Sequence, residues 1–271
     1  MSPMSTQAYI YDEEIAARYD AAVPVSQAEV EFYLELARAA ESRRERTLEL
    51  TCGTGRVAIP LAREGVRVVG IDTSPAMLAE ARKRGAGLPI EWLEGDMRSF
   101  DLGERFGLVY IPAGSFQLLL TIEDQLAALE CIRRHLAPEG RFAFEVENPQ
   151  PVAIADWLTT RRGTLARRPD RDYTHPITGR HIRTSGTLEY HPSEQIYTSH
   201  GVFDELDDDG VVLRRVYGQP MTLRYHHRYE LEHLLARAGL AIEALYGDVA
   251  KNEYRATSPD FIIVAKAVDN G

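Results

Sequence analysis

The 271-residue sequence predicts an α/β fold: a seven-stranded, mostly parallel sandwich with an antiparallel β insertion after the fifth strand. From Thr47 to Glu147, apolar runs alternate with amphipathic ones, as in strands and helices that build a parallel sheet. After Asn148 and Pro149 this alternation stops, and short strand-like runs separated by turn residues follow. A helical pattern returns at "YELEHLLARAGL" and precedes two more strand-like runs.

Five apolar runs predict the strands of the first part: "TLEL", "VRVVGI", "IEWLEG", "FGLVYI" and "RFAFEVE". The segment "VAIPLARE" predicts a helix with Pro60 in its first turn, where a missing backbone N–H is tolerated. Thr73 or Ser74 caps the next helix, which begins at Pro75 and has Met77 on its inner face. A third helix, expected to stop at "PEG", has apolar residues at helical spacing: Leu126, Leu129, Ile132 and Leu136.

Residues 150–224 are predicted to form an insertion between two parts of the α/β core, 1–149 and 225–271. Residues 150–181 show weak periodicity, whereas "GTLEYHPSEQIYTSHGVFDELDDDGVVLRRVYGQPMTLRYHH" predicts antiparallel strands with "DDDG" at a hairpin tip. Gly239 closes the last helix, and "AIEALYGDV" and "FIIVAKAV" predict the last two strands. Ligands bind outside the carboxyl ends of strands in open α/β sheets, so we expect the insertion to cover the site.

The composition limits the classes of partner. A net charge of -10 and a pI near 5.4 argue against nonspecific binding to nucleic acid or to an anionic membrane. Cys52 and Cys131 imply no disulfide framework, and the sequence has neither a signal peptide pattern nor a membrane-spanning run. We therefore expect a cytoplasmic protein, for which a homodimer is compatible with the sequence. The eight histidines are irregularly spaced, which predicts no metal site.

The stretch "LELTCGTGRVAIPLAREGVRVVGIDTS" contains a glycine turn that two cofactors could use. Gly53, Gly55 and Ala58 satisfy the G-x-G-x-x-A variant of the dinucleotide fingerprint, with Asp72 placed to bind a ribose. S-adenosylmethionine is bound by the same strand, turn, helix and strand. The glycine turn alone leaves both cofactors open.

Two features favour S-adenosylmethionine. Glu49 lies in a buried strand, where an unpaired carboxylate is costly unless it faces a cation, and this cofactor carries an ammonium and a sulfonium. At the end of the third strand, Asp96 can accept a hydrogen bond from an adenine amino group and Met97 can pack on the ring. A dinucleotide site requires neither residue.

These residues resemble the class I S-adenosylmethionine-dependent methyltransferases, whose Rossmann-like core has acidic residues before the glycine turn and at the next two strand ends. The sequence departs from the family at Thr51 and Glu139, where glycine or another small residue is commoner. The N-terminal "IAARYDAAV" and the insertion are similar to sugar and glycine-type N-methyltransferases. The resemblance implies cofactor contacts from the following residues: Tyr19, Glu49, Gly53, Gly55, Asp72, Thr73, Met77, Asp96 and Met97.

The predicted activity is methyl transfer from S-adenosylmethionine to nitrogen or oxygen of a small molecule. Tyr19, His226 and His227 are the candidates for a general base, which is needed only if the acceptor arrives protonated. An RNA or protein methyltransferase is the alternative, with "RRGTLARRPDR" as its basic segment. A NAD-dependent oxidoreductase and a nonenzymatic S-adenosylmethionine sensor are further alternatives.

Overall fold

The computed structural model describes residues 11–149, 155 and 166–268. The helices are α1 (Glu13–Ala22), α2 (Gln27–Ser42), α3 (Ala58–Arg63), α4 (Pro75–Arg84), α5 (Ile122–His135) and α6 (Arg228–Arg237), with a 3₁₀ turn at Ser115–Leu118. The strands are β1 (Thr47–Leu50), β2 (Val68–Asp72), β3 (Ile90–Glu94), β4 (Phe106–Ile111), β5 (Leu136–Glu147), β6 (Ala166–Thr174), β7 (His181–His191), β8 (Ile196–Leu206), β9 (Val212–Tyr217), β10 (Met221–Arg224), β11 (Leu240–Tyr246) and β12 (Asp260–Ala267).

Seven strands form one sheet in the order β11-β12-β5-β4-β1-β2-β3. Strands β1 to β5 run parallel, whereas β12 is antiparallel to β5 and β11 is antiparallel to β12. Helices α2 and α3 bury apolar side chains against one face, and α5 and α6 against the other. The predicted mostly parallel α/β sandwich is therefore confirmed.

The local signals place the helix starts correctly. Ser74 is the N-cap of α4 and accepts a hydrogen bond from the backbone N–H of Met77, with Pro75 at the first position. The end of α5 differs from the prediction, because the helix stops at His135 and Leu136 already begins β5. Leu136 is buried in the strand, so its apolar side chain fitted the helical pattern by coincidence.

A second sheet of antiparallel strands lies between β5 and α6. Its order is β10-β8-β7-β6, and β9 pairs with β8 beside β10. Strand β6 was not predicted, because its sequence "ARRPDRDYT" lacks alternation. Its pairing with β7 is irregular between Arg168 and Arg171, around Pro169, which has no N–H to donate to a ladder. The proposed boundaries of the insertion, 150 and 224, stay a prediction.

The second sheet lies across the carboxyl edge of the large sheet. The Tyr197 hydroxyl donates to Glu147 at the end of β5, at 2.7 Å. The Gln117 side chain, in the 3₁₀ turn after β4, donates to the carbonyl of Arg224 at 3.0 Å. Strand β6 also contacts α1, so the N-terminal helix is held between the two sheets. No helix in the described part of the chain combines the length and apolar character needed to span a bilayer.

Candidate functional site

The candidate site lies where the parallel strands β1, β2 and β3 end. After β1 the chain turns into α3 through three residues with positive φ, at 56° for Thr51, 55° for Gly53 and 77° for Gly55. A Cβ atom at Gly55 would lie 2.6 Å from the Trp92 ring on β3. The turn thus needs glycine both for its backbone conformation and for packing against the sheet.

Asp72 joins the end of β2 to this glycine turn. One carboxylate oxygen accepts the backbone N–H of Gly53 at 2.7 Å, and the other accepts that of Ser74 at 2.8 Å. Burial raises the pKa of Asp72, and the N–H groups of Ser74, Gly53 and Thr73 partly counter that effect. The side chain is held rigidly beside the turn, where it can accept hydrogen bonds from a diol.

Glu49 lies one layer beneath the turn, on β1. Only 1% of the residue is exposed, and the Tyr110 hydroxyl donates to its carboxylate at 2.7 Å. Burial raises its pKa to about 8, although this hydrogen bond and the nearby Arg56 both act in the opposite direction. The predicted cation near Glu49 is thus present within the protein as Arg56, and a direct contact with a ligand stays a prediction.

Arg56 connects the turn to α2 by a buried ion pair. Its guanidinium donates to both carboxylate oxygens of Glu29, at 2.7 and 2.8 Å. Burial alone would lower the pKa of Arg56, but Glu29 more than offsets this, and the field of Tyr19 acts in the same direction as Glu29. Tyr19 therefore lies near enough to Arg56 to influence its pKa, and a contact of Tyr19 with the cofactor stays a prediction.

Helix α1 covers the turn from the other side. Asp20 accepts a hydrogen bond from the Thr54 hydroxyl and forms an ion pair with Arg84 at the end of α4. The Tyr19 ring packs edge-on against Tyr11, with centroids 5.8 Å apart. Asp20 was not among the predicted site residues, although it follows Tyr19 directly in "RYDAA".

The carboxylate predicted at the end of the third strand is paired within the protein. Both carboxylate oxygens of Asp96 accept from the Arg98 guanidinium, at 2.6 to 3.1 Å, and Arg98 also reaches Asp124 at 2.9 Å. These hydrogen bonds lower the pKa of Asp96 and keep it ionised. Met97 is largely buried in the core beneath this edge. A contact of either residue with adenine stays a prediction.

Two further predicted cofactor contacts, Met77 and Thr73, differ in exposure. Met77 is buried, and a Cβ atom at Gly53 would lie 3.6 Å from its terminal methyl group. Thr73 is exposed beside Asp72. Met77 thus forms the floor of the turn, whereas Thr73 is open to a ligand.

Comparison with known proteins agrees with this geometry. Residues 47–140 match the family described as "Methyltransferase domain". The putative methyltransferase YqeM of Bacillus subtilis is 36% identical over 110 residues, which are 40% of this chain and 44% of that protein. The chain thus spans less than half of that relative's length.

Two other similarities extend over most of the chain. The dTDP-3-amino-3,4,6-trideoxy-alpha-D-glucopyranose N,N-dimethyltransferase of Streptomyces venezuelae is 29% identical over 224 residues, 81% of this chain and 85% of that protein. The structure of the CcbJ methyltransferase from Streptomyces caelestis has a TM-score of 0.71 at 25% identity, covering 95% of this chain and 100% of that one.

Residues 47–140 carry a methyltransferase domain, and most of the chain is similar to class I methyltransferases. This confirms the family predicted from the sequence and S-adenosylmethionine as its cofactor, and it decides the choice left open by the glycine turn. The residues at this strand edge fit that cofactor. The sheltered Asp72 suits a ribose diol, and Glu49 beneath the turn suits the positive charge of the methionine end.

Sequence reasoning missed another carboxylate at this edge, the half-buried Glu145 near the end of β5. It accepts the backbone N–H of Ala113, which has a φ of 57° in the loop after β4. Burial and the neighbouring Glu29 raise the pKa of Glu145 to about 7. The signal was available, because Glu145 interrupts the apolar run "RFAFEVE" as Glu49 interrupts "TLEL".

The histidines predicted as candidate bases have other surroundings. His226 is fully buried, its Nε2 lies 2.9 Å from the Gln125 amide nitrogen, and its ring packs near Phe116. Burial lowers the pKa of His226 to about 3, so the ring is neutral and its Nε2 lone pair is occupied by the amide. This environment argues against His226 as a base. His227 is exposed at the start of α6, where its N–H donates to Glu230.

Metal ligation finds no support in the described ranges. Residues 11–149 and 166–268 contain no group of three or more His, Cys, Asp or Glu side chains arranged to hold an ion. His191 and His200 both lie near Glu189, at 3.8 and 3.7 Å, on the second sheet. These contacts form a partly exposed surface cluster.

Proposed function

We propose that the protein transfers the methyl group of S-adenosylmethionine to the amino nitrogen of a small molecule, an amino sugar carried by a nucleotide. The observation that carries this proposal is that the second sheet lies across the carboxyl edge of the large sheet, where the glycine turn is. The resemblance to an amino-sugar N,N-dimethyltransferase supports it, because that similarity extends over 81% of the chain.

The inner face of the second sheet has the composition of a small-molecule site. Its strand register puts Tyr173, Tyr190, Tyr197 and Phe203 on one face. This face is directed toward the large sheet, because Tyr197 contacts Glu147 and Phe203 contacts Arg18 of α1. Aromatic walls with a few placed polar groups are typical of pockets that enclose small ligands. We infer that residues 150–224 supply most acceptor contacts.

Such a reaction needs alignment and exclusion of water more than acid–base chemistry. S-adenosylmethionine supplies a methyl group already activated by the sulfonium, and the displacement proceeds in line. The protein contributes by binding the cofactor with Asp72 and Glu49 and by covering the site with α1 and the second sheet. An acceptor amine must present its lone pair, so an ammonium has to lose a proton before transfer.

Glu145 is our candidate for the general base that accepts this proton, in place of His226. It lies at the end of β5, and its pKa of about 7 matches a base that works near neutral pH. We expect kcat of the parent protein to rise with pH through about 7, as the carboxyl group ionises. Glu145→Gln should remove this inflection, whereas Glu253→Gln, at an exposed position, should keep it. An unchanged profile in the Glu145 variant would leave Tyr19 and His227 as the remaining candidates.

The activity is tested with a panel of acceptors. Nucleotide-linked amino sugars, free amino sugars, catechols, peptides and RNA are incubated with methyl-labelled cofactor, and products are identified by mass spectrometry. We expect methylated amino sugar as the main product. Transfer to peptide or RNA alone would contradict the proposal, and cofactor binding without transfer to any acceptor would favour a sensor.

We further propose a cytoplasmic protein without nucleic-acid or membrane partners. The free, buried thiols of Cys52 and Cys131 suit a reducing compartment. The net charge of -10 opposes attraction to polyanions. A homodimer stays a prediction, and sedimentation analysis of the purified protein tests it.

A further inference from the structure

Arg18 occupies the joint between α1 and the inner face of the second sheet. Its guanidinium lies 4.3 Å from the centroid of the Phe203 ring on β8. Its Nη1 donates to the Tyr173 hydroxyl on β6 at 3.0 Å. Two residues further along α1, Asp20 contacts the glycine turn through Thr54. Helix α1 therefore presents one side to the cofactor edge and Arg18 to the covering sheet.

The hydrogen-bonding capacity of Arg18 is poorly used. Its Nε is buried and has no hydrogen-bond partner. No carboxylate in the described part of the chain lies within ion-pair distance of Arg18, whereas Arg56, Arg98 and Arg215 each have one. A buried charged donor without a partner is unfavourable, so this arrangement is unusual unless a ligand completes it.

We infer that Arg18 binds a phosphate group of the acceptor, and this inference rests on the proposed function. A guanidinium can donate two parallel hydrogen bonds to a phosphate, and the Nε and one terminal nitrogen form such a pair of donors. Phe203 and Tyr173 of the second sheet hold the guanidinium of Arg18 in place. Because Arg18 is next to Tyr19, the phosphate would lie between the glycine turn and the second sheet.

The charge of the whole protein is a second reason to look for such a residue. A net charge of -10 repels a nucleoside diphosphate, so a local cation that no neighbouring carboxylate neutralises favours binding. Arg18 meets this condition, since its neighbours here are a phenol and a phenyl ring. The phosphate requirement distinguishes nucleotide-linked from free amino sugars.

The test uses thymidine diphosphate and thymidine as probes, titrated calorimetrically into protein saturated with S-adenosylhomocysteine. We expect Arg18→Gln to weaken diphosphate binding by about 10-fold or more, the usual effect of losing a hydrogen bond to a charged group. Arg18→Lys should fall in between, because an ammonium keeps the charge and loses the planar pair of donors. Arg180→Gln is the matched control, an exposed arginine in the turn between β6 and β7 that pairs with Glu205 of β8.

The nucleoside comparison needs no variant. If thymidine binds the parent as tightly as thymidine diphosphate, or if Arg18→Gln binds the diphosphate like the parent, the inference is wrong. A purely structural clamp would lower the melting temperature and weaken thymidine and diphosphate equally, which also overturns it. Unchanged affinity for S-adenosylhomocysteine with selective loss of diphosphate supports it.

The outcome for the proposed function is read separately, from methyl transfer. If no amino sugar is methylated while diphosphate binding still depends on Arg18, the phosphate site stands and the proposed function fails. If nucleotide-linked and free amino sugars are methylated equally well by parent and Arg18→Gln, the function stands and the phosphate site fails.

Discussion

At the scale of single residues, the site is built from carboxylates whose pKa values are set by the surrounding protein. Burial raises the pKa values of Glu49, Asp72 and Glu145, with Glu49 reaching about 8 and Glu145 about 7. By contrast, Arg98 lowers the pKa of Asp96. Carboxylates of one edge thus differ in charge near neutral pH, which lets them meet different parts of a cationic ligand.

The raised pKa of Glu49 predicts a pH dependence of both stability and cofactor affinity. Between its ordinary value of 4.5 and about 8, folded Glu49 holds a proton that the unfolded chain has released. Rising pH in this window therefore lowers the free energy of unfolding. A bound cation favours the carboxylate, so cofactor binding should release a proton and become tighter as pH rises toward about 8.

The variant Glu49→Gln should lose both effects. We expect its melting temperature, relative to the parent, to be higher at about pH 8 than at about pH 5, with the difference measured by calorimetry. Its affinity for S-adenosylhomocysteine should no longer change with pH over this range. A parent affinity that is flat from about pH 5 to about pH 8 would show that Glu49 does not sense the ligand.

Asp72 carries the second prediction. Asp72→Ala should weaken S-adenosylhomocysteine binding by about 1 to 3 kcal/mol, because ribose hydroxyls lose their acceptor. The backbone N–H groups of Gly53 and Ser74 also lose theirs, so a lower melting temperature is expected as well. Asp72→Asn separates the effects, since an amide oxygen still accepts one bond. Titration calorimetry that finds equal affinity in the folded Asp72→Ala variant would remove Asp72 from the site.

At the scale of elements, the turn between β1 and α3 contains a strained residue. Thr51 has a φ of 56°, which is unfavourable for a β-branched side chain. The sequence showed Thr51 as a departure from the small residue usual in the family, and the backbone explains that preference. Strain of this kind concentrates at binding sites, where the surrounding structure holds it in place.

Replacing Thr51 tests this strain. Thr51→Gly should stabilise the protein by about 0.5 to 1 kcal/mol, because relief of a left-handed conformation exceeds the entropy that glycine adds to the unfolded chain. Thr51→Ala, which keeps a Cβ atom, should gain less. Chemical denaturation of the three proteins measures the difference. Equal gains for Ala and Gly would assign the effect to the Thr51 side chain instead of its backbone.

At the scale of the whole molecule, the second sheet is joined to the carboxyl edge of the large sheet and to α1. Contacts that join it to the core come from three places far apart in sequence: Arg18, Gln117 and Glu147. The basic segment that favours RNA has Arg161 and Arg162 outside the described residues, and the side chains of Arg167 and Arg168 are not described either.

Salt dependence separates a small acceptor from RNA. Neutralising several phosphates makes affinity fall steeply with salt, whereas one nucleotide-linked acceptor should give a shallow slope. We expect replacement of Arg161, Arg162, Arg167 and Arg168 by Ser to leave affinity for S-adenosylhomocysteine unchanged and RNA binding negligible in both proteins. Tight, salt-sensitive RNA binding by the parent that disappears in this variant would assign the protein to RNA methylation.

The sequence alone determined the local features of the fold. Periodicity and caps depend on neighbours a few positions away. They were enough to predict strands β1 to β5, the helix start at Ser74 and Pro75, the "DDDG" hairpin and the acidic residues at strand ends. The same evidence was enough to indicate the family, because its motif residues follow successive strands. Sequence also sufficed to place antiparallel strands between β5 and α6.

Only the tertiary structure decided which side chains meet. It paired Asp96 with Arg98, buried His226 against Gln125, enclosed Glu145 near Glu29, and set Arg18 against the second sheet. It also formed β6, whose charged sequence gives no period and whose strand exists through pairing with β7. These contacts join segments that are mostly far apart in the chain. Their energies depend on burial and on distance in space, which a pattern of neighbouring residues does not contain.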